Sequence, residues 1–153
     1  MTDTALETLE RYRWTRAFPT RWHDNDVFGH VNNTIYYAAM DTTVTGWLLG
    51  EAGFGMHEAG DLAVVVASSC RYFASGAFPD TFVVGLRADR LGRTSVSWGL
   101  GIFRESDAQL LASGTFVHVF VGRDSRRPIP VPQELRARIE RELVPDDSRS
   151  GQH

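Results

Sequence analysis

The chain holds one cysteine, Cys70, in 153 residues. A single thiol can form neither an intramolecular disulfide nor the thiolate cluster of a structural zinc site, so a reducing cytoplasm is the expected compartment. Long hydrophobic runs are missing too. No stretch approaches the roughly 18 uninterrupted apolar residues of a membrane span. The first ten residues carry acids and threonines where a signal peptide needs a basic start and an apolar run. Nor is there an excess of positive charge. The formal net charge is -3 at pH 7, which excludes the broad basic footprint of a nucleic-acid binder and leaves room only for a local patch facing a small anion. Two catalytic signatures are absent as well. No Gly-x-Ser-x-Gly pentapeptide is present to set a nucleophilic serine on a strand-to-helix turn. No His-Glu-x-x-His is present to place two metal ligands on one helix face, and no metal is expected.

The composition that remains, 42% hydrophobic and 23% charged, is that of an ordinary globule. Its length suits one domain, expected over 12–143, between polar aperiodic tails at 1–11 and 144–153. From Tyr12 to Trp22, aromatics and threonines favour a strand that Pro19 confines to a sheet edge or a bulge. Asn32 or Asn33 then caps a helix in which Ile35, Tyr36, Ala39, Met40, Val44, Trp47 and Leu48 recur at three- and four-residue steps, until the glycines of Gly50 to Gly55 end it. Threonines at 42, 43 and 45 weaken its intrinsic propensity, so packing must hold it. Four strand-like stretches follow, Leu62–Phe73, Thr81–Asp89, Thr94–Arg104 and Gln109–Val121, separated by turn residues. In the third, Val96, Trp98, Leu100 and Ile102 alternate with Ser95, Ser97, Gly99 and Gly101, giving one bulky face and one small face that something can approach closely. Three prolines at 128, 130 and 132 force an extended segment, and a short helix from Gln133 to about Glu142 closes the chain. One helix followed by consecutive strands implies an α+β architecture with an antiparallel sheet.

Those elements, with Asp24-x-Asp26-x-x-Gly29-His30-Val31-Asn32-Asn33 ahead of the helix, resemble the hotdog-fold acyl-CoA thioesterases of the 4-hydroxybenzoyl-CoA thioesterase-like family. The resemblance spans roughly residues 12 to 140. It includes Ser69-Cys70-Arg71-Tyr72-Phe73, Leu91-Gly92-Arg93-Thr94-Ser95 and Val117-His118-Val119-Phe120-Val121. It implies a curved antiparallel sheet wrapped around a long central helix, and hydrolysis of an acyl-CoA to free acid and coenzyme A with no cofactor.

The residues support that chemistry in their own right. Thioester hydrolysis needs a carboxylate, to attack the carbonyl or activate water, and donors for the oxyanion that forms. Asp26 precedes the helix by several residues, and Gly29 lets the chain fold back toward the open N–H groups at the helix start. By resemblance Asp26 is the catalytic carboxylate and the backbone amide at Asn33 the oxyanion donor. Other members carry histidine or tyrosine where this chain has Asn33. Asp24 reads as a brace for the loop, and His30 as a structural donor or a hydrogen-bond partner of the substrate. For the coenzyme's phosphates, Arg93 with Thr94 and Ser95 matches the nucleotide-holding turn and Arg127 a second basic contact, with Arg90 and Arg126 as supplements. Ser68 and Ser69 are expected near the pantetheine path, on a strand that lines the dimer interface in this family. Arg71 is expected in an inter-subunit pair, and Cys70 reads as a buried apolar cysteine.

The expected assembly is a homodimer or a dimer of dimers, because an isolated curved sheet exposes its edges. Tyr36, Tyr37, Met40, Trp47, Phe54 and Phe73 are candidates for an aromatic or medium-chain acyl pocket, although aromatics on a central helix are more often core. Two rivals share the fold: an enzyme acting on acyl carrier protein, and a non-catalytic acyl-CoA sensor. The hydratase branch, by resemblance, places a histidine five residues after its aspartate behind a proline. Here His30 follows Asp26 by four and Asp24 by six, with no proline between.

Overall fold

The computed structural model describes residues 7–55 and 60–145. Residues 1–6 and 146–153, which make up most of the two expected tails, lie outside the described residues. Within them the chain forms β1 (Trp14–Pro19), a 3-10 turn at Trp22–Asp24, α1 (Asn33–Gly46), β2 (Leu62–Tyr72), β3 (Thr81–Leu91), β4 (Ser95–Arg104), β5 (Leu110–Val121) and α2 (Gln133–Glu142). The strands make one antiparallel sheet in the order β1-β3-β4-β5-β2. The first strand is shorter than the expected Tyr12–Trp22. Its pairing with β3 ends at Pro19, opposite Thr81, where the missing N–H stops the ladder, and the strand lies at an edge as proline requires.

Asn32 caps α1: its side-chain oxygen accepts the N–H of Thr34 at 3.0 Å. The helix buries Tyr36, Ala39, Met40, Thr43 and Val44, then continues as a π-helical turn, Trp47–Glu51, that adds Trp47 and Leu48 to the core. In that turn the Ala52 N–H reaches back five residues to the Trp47 carbonyl at 2.9 Å. Beneath α1 lie Phe82, Leu86, Trp98, Leu100, Phe116 and Phe120, side chains that each contribute about 1.5–3 kcal/mol by leaving water. Helix and sheet come close at Gly114, where a methyl group would strike the Met40 sulfur.

The small face of the third stretch is covered by the chain's own Tyr12. Its ring lies over Gly85 and Gly101, which are register partners on β3 and β4. A methyl on either would meet it at 2.5 or 2.6 Å. The Tyr12 hydroxyl donates to Glu7 at 2.7 Å, and the Arg87 guanidinium sits 4.7 Å from the ring centre while binding Asp89. Glu7 and the 3-10 turn Leu9–Arg11, in the segment expected as a tail, thus run into this cluster.

Antiparallel pairing gives the sheet two ends. At the near end are Tyr72, Thr81, Arg104 and the start of α1; at the far end are Leu62, Leu91, Ser95 and Val121. Helix α2 packs at the far end through Leu135, Ile139 and the following Leu143, whose carbonyl accepts the Ala88 N–H at 3.0 Å.

Candidate active site at the start of the central helix

The loop before α1 is folded by its own polar groups. Its two arms form a short antiparallel ladder: the Asp26 N–H donates to the His30 carbonyl at 2.8 Å, Asn25 bridges Val31, and the Asn32 N–H donates to the Asp24 carbonyl at 2.9 Å. Gly29, at φ +82°, turns the chain between the arms. The Asp24 side chain is fully buried and accepts the Arg21 backbone N–H at 2.8 Å and its guanidinium at 3.1 Å, so it braces the loop as expected of it. Asn25 ties the loop to the β2–β3 connection by accepting the Phe78 N–H at 3.0 Å, and the Val31 N–H reaches the Gly76 carbonyl at 2.8 Å.

Asp26 is half-buried on this frame. Its Oδ1 accepts the Phe28 N–H at 2.9 Å, and among the described residues no donor reaches Oδ2. The ladder leads directly into the start of α1, where most of the first-turn N–H groups are spoken for. Thr34 donates to the Asn32 side chain and Ile35 to the Asn32 carbonyl, leaving the Asn33 N–H with no acceptor among the described residues. The Asn33 and His30 side chains are exposed. Around the loop, Val27 is 94% and Phe28 82% exposed, apolar surface that nothing among the described residues covers.

The other expected residues lie elsewhere. Arg93, Thr94 and Ser95 form the β3–β4 turn at the far end, where the Arg93 carbonyl accepts the Val131 N–H at 2.9 Å. Arg93 borders an open pocket of about 660 Å³ lined also by Pro130, Val131, Pro132 and Arg136. Arg127, exposed, sits at the same end in the turn after β5. The eleven residues of β3 separate this end from the Asp26 loop, about 33 Å at 3.3 Å per residue. Ser68 and Ser69 are both exposed on β2 but project to opposite faces. Ser68 pairs with Phe116 on the helix side, and Ser69 with Thr115 on the other. Cys70 is half-buried on the helix side, and burial pushes its thiol pKa up, away from nucleophilic reactivity. Of the expected pocket residues, Tyr36, Met40 and Trp47 are core, whereas Tyr37, Phe54 and Phe73 keep accessible surface.

Several neighbours carry no sequence signal. Arg136 on α2 donates to the Gly92 and Arg93 carbonyls. Tyr72 stacks edge-on to Tyr36 and directs its hydroxyl to the Asn33 carbonyl at 3.5 Å. On the helix face of β5, buried His118 accepts the Trp98 indole N–H on Nδ1 at 2.7 Å. Each depends on strand register, which spacing alone does not set. No group of three or more His, Cys, Asp or Glu among the described residues is arranged to hold a metal ion. No helix among them is long and apolar enough to cross a membrane.

This fold and loop define a class. The profile of the thioesterase-like superfamily matches residues 20–139, and the chain belongs to that superfamily: a thioester hydrolase of hotdog architecture. Similar solved structures include the PA5185 protein from Pseudomonas aeruginosa strain PAO1, with 45% identity over 88% of this chain and 94% of that one and a TM-score of 0.83. PA2801 from Pseudomonas aeruginosa, a candidate thioesterase, is 32% identical over 84% of this chain and 98% of that one, with a TM-score of 0.78. Slr0204 from Synechocystis, a 1,4-dihydroxy-2-naphthoyl-CoA thioesterase, shares the fold at a TM-score of 0.75 and 22% identity, over 82% of this chain and 94% of that one. Among curated proteins none matches.

Proposed function

We propose that the protein hydrolyses acyl-CoA thioesters, with Asp26 as the reacting carboxylate and the Asn33 N–H as oxyanion donor. What supports this reading is that the Asp26 Oδ2 is left open in the loop that leads into α1, whose first residue, Asn33, carries an N–H with no acceptor among the described residues. A carbonyl oxygen seated at that N–H sits at the positive end of the helix dipole, which stabilises the charge that develops on it. Asp26 then attacks the carbonyl carbon, expelling the thiolate and leaving a mixed anhydride for water to cleave, or takes a proton from an attacking water. Oxygen-18 incorporation into Asp26 in single turnovers separates the two routes.

The site needs a second copy. Strand β2 is bonded on one side to β5, and at its open edge Val64, Val65 and Val66 are 41, 42 and 59% exposed, an apolar edge that solitary proteins avoid. A two-fold axis across that edge pairs β2 antiparallel with its copy. The operation reverses the ends, so the partner's far end, with its Arg93 and Arg127 turns, comes beside this chain's Asp26 loop. Arginines about 33 Å away within one chain thereby become the cationic binding site for the coenzyme's phosphates. We propose the dimer as the catalytic unit, the dimer of dimers as its further assembly, and the pantetheine arm as passing Ser68 along the shared edge.

The direct test is thiol release from a panel of acyl-CoAs by wild type and Asp26→Asn, with light scattering for the assembly. Turnover that survives in Asp26→Asn at the wild-type rate, or a monomer at assay concentration, refutes the reading.

A further inference from the structure

Trp98 on β4 and His118 on β5 both face the helix side of the sheet. The Trp98 indole N–H donates to His118 Nδ1 at 2.7 Å, and the rings pack edge-on at 6.3 Å. The indole is a donor only, so Nδ1 must be bare and the neutral imidazole carries its proton on Nε2. His118 is only 4% exposed. Its Nε2–H has no acceptor among the described residues, yet no buried side-chain nitrogen or oxygen among them is left without a partner. Nε2 must therefore be the part of the ring that meets open space. The two ring nitrogens point in widely different directions, so Nε2 faces away from the Trp98 indole, and His118's register partner on the neighbouring β2, Val65, is itself exposed.

Phe116, two residues before His118 on the same face of β5, packs against Tyr37 of α1 at 6.4 Å between ring centres. Asn33 and Tyr37 stand at i and i+4 on one helix stripe, about 6 Å apart along the axis. The stripe leads from the oxyanion donor past the Tyr37 and Phe116 rings toward the His118 imidazole.

We propose that His118 Nε2–H is a specificity-determining donor in the acyl channel, selecting acyl groups that carry a hydroxyl remote from the thioester. This rests on the thioesterase reading above and goes beyond it in naming the acyl class. A hydroxyl oxygen can accept from Nε2–H, whereas a methyl end displaces water from that N–H and leaves it without a partner, and that mismatch is what makes such sites selective. Trp98 is a positioning residue: without its indole the imidazole is free to take the other tautomer and present a lone pair.

The test compares straight-chain acyl-CoAs from hexanoyl to dodecanoyl with their ω-hydroxy counterparts on the wild-type protein. We expect one chain length at which the hydroxyl raises kcat/KM roughly tenfold or more. In His118→Leu that preference disappears, and Trp98→Phe reduces it. To keep the test independent of whether His118→Leu folds, the wild-type protein is also followed by nitrogen-15 NMR of the imidazole. The Nε2 resonance should move with the ω-hydroxy acid of the preferred length and not with the plain acid. No preference at any length, a preference that persists in folded His118→Leu, or an Nε2 resonance indifferent to both acids overturns the proposal. Absence of hydrolysis for every thioester overturns the enzymatic reading instead, and the acid titration still decides whether His118 is a hydroxyl donor.

Discussion

The two ends of the sheet deploy their polar groups differently. At the near end, polar side chains are spent on shaping backbone: Asp24 on Arg21, Asn25 on Phe78, Asn32 on Thr34, one Asp26 oxygen on Phe28. What is left over is small and directed, a single carboxylate oxygen and a single N–H. At the far end the cations Arg93 and Arg127 are exposed, and their backbones rather than their guanidinium groups hold the turns. In the proposed reading the near end serves charge that develops during a reaction, the far end meets a ligand that arrives already anionic, and the bare edge of β2 brings the two together across a dimer.

The largest expected effect is at the near end. Asp26→Asn keeps an oxygen for the Phe28 N–H but removes the reacting carboxylate, and kcat should fall roughly a hundred- to ten-thousand-fold, the range for loss of a general base. KM, which the proposal assigns to the partner's far end, should change little. Steady-state kinetics on one good acyl-CoA check both numbers.

The comparison is sharpened by mixing. Arg93→Ala with Arg127→Ala should raise KM roughly tenfold or more, increasingly so as salt falls and the lost charge matters most. If the ends combine across subunits, reassembling this double variant with Asp26→Asn yields mixed dimers in which one of two sites is intact. Random reassembly makes half the dimers mixed, so about a quarter of wild-type activity should return. A mixture no more active than the better parent would break the pairing of near end with partner far end.

How much of this was legible in the sequence follows the same division. The near end is local: Asp26, Gly29 and the Asn32 cap lie within seven residues, so turn chemistry and helix-cap chemistry place them directly. The helix and the four later strands were legible from periodicity, to within a residue or two at most boundaries. The far end is recognisable by composition, but its distance from Asp26 comes from strand direction, which no spacing reveals. Ser68 and Ser69 show the limit: adjacent in sequence, they face opposite sides of β2. Trp98 and His118 are twenty residues apart and meet only because β4 and β5 take one register out of many.

A smaller effect tests how rigid the near end must be. Gly29 has φ +82°, and a Cβ there meets nothing within 4 Å, so Gly29→Ala adds backbone strain without a clash, about 1 kcal/mol. Urea denaturation should show that loss, with a several-fold fall in kcat as the Asp26 loop relaxes. Gly29→Asn, which tolerates the left-handed region better, should do less on both measures. Equal damage from both substitutions would point to a role for Gly29 other than its backbone angle.

The smallest effect lies between the ends, at His118. Burial lowers its pKa in the fold, outweighing the opposing pull of Asp41. Above the ordinary histidine value of about 6.5, folded and unfolded chains are both neutral there and the residue leaves stability unchanged with pH. Below it the unfolded chain takes up a proton that the folded one resists, so stability is lost as pH falls from about 6.5 toward the folded value, with a slope of at most about 1.4 kcal/mol per pH unit. His118→Gln has no such group to titrate, and its stability curve should be flatter than the wild-type curve across that window even if it starts lower. Parallel curves for the two proteins would mean that the imidazole is not held neutral, and the donor at Nε2 would lose its tautomeric basis.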